Sequence, residues 1–163
     1  RAKRQLEILI VVADQETIDR VDNTLKKAIY GTNELNRIVG HNGSVLTVDI
    51  SPDDQLIATG SNDKTVKIWR RNGQLLHTLK HGGTVHRIAF SPEGDRIVAA
   101  SLDGNIHLWS VGGELLARWR GHDAPVWGID ISPDGKLIAS ASGDNTVKLW
   151  SISGDNNSTP ALL

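Results

Sequence analysis

Between positions 45 and 151 the chain sets short apolar or alternating runs between tight clusters of turn residues, which is the periodicity of strands. The first group predicts strands at Val45 to Ile50, Leu56 to Gly60, Thr65 to Trp69 and Gln74 to Leu79. The turns between them read Ser51-Pro52-Asp53-Asp54, Asn62-Asp63-Lys64 and Arg71-Asn72-Gly73. A second group repeats the order with Ser91-Pro92-Glu93-Gly94 and Leu102-Asp103-Gly104, and a third with Ser132-Pro133-Asp134-Gly135 and Gly143-Asp144-Asn145. Pro and Asp preset the early turn dihedrals, and Gly94 and Gly135 supply a positive φ at little cost.

Residues 1–32 read differently. After Asp14, with Gln15 and Glu16 in the first turn, apolar residues recur at Ile18, Val21, Leu25, Ala28 and Ile29, and Gly31 follows Lys26 and Lys27 as a stop. This predicts an amphipathic helix whose end charges complement its dipole, within a helical linker segment spanning 1–32. Arg1 to Val12 fits one helical face at Ala2, Leu6, Leu9 and Ile10, but the apolar run 8–13 also fits a strand.

The strand groups are true repeats. His41, His81 and His122 are spaced by 40 and 41 residues, as are Pro52, Pro92 and Pro133, and Trp69, Trp109 and Trp150. A four-stranded antiparallel meander repeated in this way is the pattern of propeller blades. The histidine of Gly-His type, the Ser-Pro-Asp-Gly turn, the Ser-x-Asp hairpin and the closing Trp resemble the tryptophan-aspartate (WD) repeat β-propeller family. The resemblance covers residues 37–151 and departs at two points. Trp is followed by Arg70, Ser110 and Ser151 in place of Asp, and the second repeat has Lys80-His81 in place of Gly-His. The resemblance implies an all-β fold behind an N-terminal α-helical segment: a partial propeller of three four-stranded blades, the third incomplete. The propeller part is 33–163, with an outer latch strand at 33–40 and blades at 41–80, 81–121 and 122–163. The stretch Lys26 to His41 further resembles the junction with a C-terminal repeat array in large bacterial, especially cyanobacterial, signalling proteins.

Composition narrows the function classes. Eighteen basic and nineteen acidic residues leave a net charge of -1, which offers no electrostatic footprint for nucleic acid or an anionic membrane. Cysteine is absent, so disulfides, zinc–thiolate clusters and thiol nucleophiles are excluded, which suits a cytoplasmic protein. No HExxH pair occurs, and His77 and His81 fall across a strand end and a Gly-rich loop, where surface placement is expected; neither a metal nor a cofactor is expected. The longest apolar run, Ile8 to Ala13, is far shorter than the roughly 20 residues of a spanning helix. The chain opens on Arg1 and contains no Met, and is expected to be a piece of a longer protein.

His41, Thr59 and Asp63 are the residue types of an acyl-transfer triad, yet they recur once per repeat and no GxSxG motif accompanies them. The WD resemblance implies a structural hydrogen-bonded chain instead: His41, Thr59, Asp63 and Trp69 in the first blade, His122, Ser140, Asp144 and Trp150 in the third. The second has His81, Asp103 and Trp109, but Ala99 replaces the hydroxyl, so this blade is expected to be the least stable of the three unless water fills the gap. The resemblance also places a partner-binding rim at Ser44, Leu46 and Asn62, at Thr84, His86 and Leu102, and at Pro125, Trp127 and Gly143. Trp127 either anchors a partner there, with His86, or packs on a neighbouring blade; Trp119 is expected to serve in blade packing or as an edge-strand cover. No catalytic residue is assigned. The expected role is a non-catalytic scaffold binding a protein or peptide on the rim, within a larger bacterial signalling protein. Two alternatives stand beside it: a homo-oligomeric ring of three-blade protomers, and a hydrolase using His, Thr and Asp.

Overall fold

The computed structural model describes residues 37–152 and 160–163, and among these there are twelve strands and no helix. The helical segment expected over 1–32 lies outside the described residues. So do residues 33–36 of the expected latch strand, while 37–40 carry no strand.

Three four-stranded antiparallel sheets follow one another along the chain. The first contains β1 (Val45–Ile50), β2 (Leu56–Ser61), β3 (Thr65–Arg70) and β4 (Leu75–Lys80). The second contains β5 (Val85–Phe90), β6 (Arg96–Ser101), β7 (Asn105–Ser110) and β8 (Leu115–Arg120). The third contains β9 (Val126–Ile131), β10 (Leu137–Ser142), β11 (Val147–Ser151) and the short β12 (Ala161–Leu162). These spans match the sequence reading to within a residue in the first blade. Ala161–Leu162 pairs with Trp150 and Ser151, and so forms the outer edge of blade 3. Gly94 and Gly135 take up the left-handed conformation in the early turn, where the first blade has Asp54. Gly104 does so in the hairpin turn, where Lys64 and Asn145 stand in the other blades.

Because side chains alternate across each strand, every blade has two faces. The trailing face of blade 1 carries Ala58, Val66 and Ile68, and it buries against Ile88, Phe90, Ile97 and Trp109 on the leading face of blade 2. Blade 2 repeats the contact one step on, with Val98, Ile106 and Leu108 set against Ile129, Ile131, Ile138 and Trp150 of blade 3. Trp119 joins this second core edge-to-face with Trp150, centroids 5.7 Å apart, as expected of a packing residue. Each fully covered aliphatic side chain contributes about 1.5 to 3 kcal/mol.

The two outer faces lack this cover. Val66 and Ile106 are 0% exposed, but Val147 at the same register of blade 3 is 71% exposed; Ile88 is 3% exposed, but Val48 of blade 1 is 62% exposed. Blade 2 is therefore the one described blade covered on both faces. The expectation that it is the least stable rested on the missing hydroxyl at Ala99 and left this cover out of account. Native-state hydrogen exchange should find the amides of β6 and β7 the slowest, by at least tenfold over β2 and β10; equal protection would contradict this.

Candidate functional site

The polar chain of blade 1 begins at the Trp69 indole. Its Nε1–H donates to Thr59 Oγ1 at 2.9 Å, and Thr59 lies 2.7 Å from His41 Nε2. The Asp63 carboxylate on the other side of the ring can only accept, which assigns the His41 proton to Nδ1 and makes Nε2 the acceptor of the Thr59 hydroxyl proton. That Nδ1–H donates to Asp63 Oδ2 at 2.8 Å. Asp63 also accepts from the Asn42 amide at 2.9 Å and the Thr65 hydroxyl at 2.6 Å. Blade 3 repeats the arrangement: Trp150 to Ser140 at 2.8 Å, Ser140 to His122 at 2.8 Å and His122 to Asp144 at 2.8 Å. Burial alone would raise the Asp63 carboxyl, but hydrogen bonds from Thr65, Asn42 and His41 outweigh it and hold it well below the usual range. The Thr146 hydroxyl does the same for Asp144, against partial desolvation and with help from His122.

Blade 2 departs from the expected arrangement. His81 makes no hydrogen bond to Asp103. Its Nδ1–H donates to the Leu79 carbonyl at 3.2 Å, and its Nε2 accepts directly from Trp109 Nε1 at 3.3 Å. Ala99 offers the indole no acceptor, so the imidazole moves into that role, and a ring bonded this way cannot also reach the hairpin carboxylate. Asp103 caps its own turn instead, accepting from the Asn105 amide at 3.0 Å. His81 is buried, not on the surface as expected, and His107 stands edge-on to it at 4.3 Å.

His107 was not singled out in the sequence reading, although the repeat alignment sets it opposite Lys67 and Lys148. Those lysines have outlets: Nζ of Lys67 reaches Thr78 at 2.9 Å and Nζ of Lys148 reaches the Gly121 carbonyl at 2.8 Å. His107 is buried, and its Nδ1 has no hydrogen-bond partner. Burial pushes His81 down to about 4. Burial, then His81 and Arg118, push His107 down to about 3, against the pull of Asp103. No group of three His, Cys, Asp or Glu residues that could hold a metal exists among the described residues.

The nine rim candidates fall into three equivalent sets. Ser44, Thr84 and Pro125 each accept, at their carbonyls, from the amides of Asn62, Leu102 and Gly143, at 3.0, 2.9 and 3.0 Å. Between these pairs each inner strand skips a residue in register, so Leu46, His86 and Trp127 occupy β-bulges. A bulged residue is unpaired and its side chain is re-aimed, a device common at rims and near binding sites. Trp127 is 47% exposed. His86 Nδ1–H donates to the Trp127 carbonyl at 2.9 Å, and the two rings meet edge-to-face at 5.0 Å. Gly143 lies beneath the indole, where a Cβ would come within 3.1 Å of Nε1. Packing on blade 2 and exposure at the rim are thus both true of Trp127.

Two outcomes test this geometry. Thr59→Ala leaves the buried Trp69 indole and His41 without their shared partner and should cost about 1 to 3 kcal/mol, measured by denaturant unfolding. His81 and His107 are neutral when folded, with values below the 6.5 of an unperturbed histidine. The unfolded chain then binds more protons below about 6.5, so stability is full above that pH and falls as pH drops toward 4 and 3. His107→Leu should shrink the difference in unfolding midpoint between pH 7.5 and pH 5; an unchanged difference would contradict this.

The family model described as "WD domain, G-beta repeat" matches residues 32–70, 73–110 and 113–151. Individual relatives match over shorter stretches. Eukaryotic translation initiation factor 3 subunit I of Phaeosphaeria nodorum is 50% identical over 40 residues, 24% of this chain and 12% of that protein. The Aspergillus niger protein of the same name is 57% identical over 30 residues, 18% of this chain and 9% of that protein. Protein HIR1 of Yarrowia lipolytica is 37% identical over 59 residues, 36% of this chain and 6% of that protein. The chain thus spans about an eighth or less of the length of these relatives. With three successive family matches over most of its length and three blades built to one plan, the chain belongs to the WD-repeat family.

Proposed function

We propose that this chain is a non-catalytic interaction scaffold that holds a protein or peptide at the rim formed by the inner-strand bulges, with Trp127 as the anchor. The observation that carries this reading is the Trp127 indole, exposed at a bulge and braced by His86 and Gly143. A large aromatic held in one orientation loses little entropy on binding and is the commonest kind of interface hot spot. The His, Thr and Asp groups that would suit a hydrolase support the structural role instead, because each spends its hydrogen-bonding capacity on the others.

The initiation-factor relatives are subunits by name, which supports assembly as the role here. The relatives named above come from eukaryotes and lend no support to the bacterial signalling context expected from Lys26 to His41. Among the described residues no helix is long and apolar enough to cross a membrane. With the balanced charge, this favours a protein partner over nucleic acid or lipid.

The test is affinity capture with the chain as bait, followed by a titration of the recovered partner. Trp127→Ala should weaken that titration by roughly thirty-fold or more, the mark of a hot spot, with thermal unfolding unchanged. His86→Ala should weaken it less. A partner retained at full affinity by Trp127→Ala would contradict the assignment.

A further inference from the structure

The sequence contains the dipeptide Asn-Gly twice, at Asn42-Gly43 and at Asn72-Gly73, each outside the strands and each with an exposed asparagine. Glycine sets no side chain beside the asparagine amide, which leaves its carbon open to attack by the next backbone nitrogen. The fold treats the two sites differently. Asn72 Oδ1 accepts from the Gln74 amide at 3.0 Å, and the Gly73 amide donates to the Arg70 carbonyl at 2.8 Å. Both reacting groups are therefore held: the nitrogen keeps its proton in a hydrogen bond, and the side-chain carbonyl is fixed in its turn. At the other site the Asn42 side chain and the Gly43 amide make no hydrogen bond among the described residues. The anchor there is the Asn42 backbone amide, which donates to Asp63 Oδ2 at 2.9 Å.

We propose that Asn42 is a site of spontaneous deamidation in the folded protein, and that the isoaspartate formed there loosens the polar chain of blade 1. The Gly43 nitrogen gives its proton to hydroxide and attacks Asn42 Cγ, closing a succinimide ring. The C–NH2 bond breaks, and the side-chain nitrogen leaves as ammonia with a proton from water, which restores the hydroxide. Water then adds across one of the two bonds from a ring carbonyl to nitrogen, its hydroxyl going to carbon and its hydrogen to nitrogen. Opening at Cγ gives aspartate. Opening at the main-chain carbonyl gives isoaspartate, in which the backbone runs through Cγ and is longer by a carbon. The two products differ in what the fold can accept. Blade 3 has Asp123 in the place of Asn42, directly after its histidine, and its links from His122 to Asp144 and Ser140 are intact. A carboxylate at 42 is thus compatible with the network. A longer backbone is not, because a Cβ added at Gly43 would already come within 2.9 Å of the Asp63 amide nitrogen. The extra carbon displaces Gly43 from this contact and draws the Asn42 amide away from Asp63, the acceptor of His41. The same loop leads into Ser44, whose carbonyl accepts from Asn62, so the change reaches the rim of blade 1. The inference is independent of the partner-binding reading of Trp127.

The test incubates the full chain in mildly alkaline buffer and follows the amide-to-acid mass change in the tryptic peptides 38–64 and 72–80, with fragmentation placing it at Asn42 or Asn72. In the native chain Asn42 should convert several-fold faster than Asn72. In denaturant the two rates should come together, because unfolding releases the bonds that protect Asn72. Methyl labelling by an isoaspartyl-specific carboxyl methyltransferase should mark peptide 38–64, and the melting midpoint should fall by several degrees as that label grows. Fresh Asn42→Asp should keep the original midpoint. Aged Asn42→Gln should neither take the label in that peptide nor lose its midpoint. Equal native rates, a native preference that persists unchanged in denaturant, or an equal fall of the midpoint in Asn42→Asp or in aged Asn42→Gln would overturn the inference.

Discussion

Everything in this molecule depends on one blade face being covered by the next. A four-stranded sheet with apolar residues on both faces cannot satisfy itself, because its own fold leaves Val66, Ile68 and their equivalents open. Only a neighbour in register closes them, and each neighbour then carries the same problem onward. The interior is therefore an ordered series of identical junctions. The first and last faces, at Val48 and Val147, are the places where that series is open among the described residues.

The polar chain inside each blade is subordinate to this. Burying the tryptophan near the end of each third strand puts an indole N–H, and beside it an imidazole, where water is excluded. Each must be paired or cost its full desolvation. Blades 1 and 3 solve this with a hydroxyl, and blade 2 solves it with the imidazole itself. That the requirement is met by two bonding patterns shows that the constraint is satisfaction of the indole, with the identity of the acceptor secondary. The second solution makes a buried pair of neutral histidines, and so ties the best-covered blade to pH.

Much of this was legible in the sequence. Strand boundaries followed from turn residues that act locally, and the repeat spacing fixed which residues share a register. The partners of His41 and His122 followed as well, since all four groups of the chain are present. The rewiring around His81 was not legible, because the missing hydroxyl at Ala99 says which bond is lost without saying which atom replaces it. That choice depends on the Leu79 carbonyl and the Trp109 indole both lying within reach of the ring. Asp49 escaped notice for a similar reason. A carboxylate on an edge strand reads as an ordinary surface residue until the Phe90 amide of the adjoining blade is seen 2.8 Å away.

The division between repeated and unrepeated positions also separates architecture from function. Residues that recur at 40 and 41 residue intervals answer a demand that every blade makes, and they exhaust their bonding on one another. The bulge positions share their geometry but not their chemistry: Leu46, His86 and Trp127 are an aliphatic, an imidazole and an indole in one register. The fold supplies the same re-aimed site three times and makes no demand on what fills it. Variation there is free to follow a ligand. A surface built from such positions differs from blade to blade, and an asymmetric partner needs that difference to be held in one orientation.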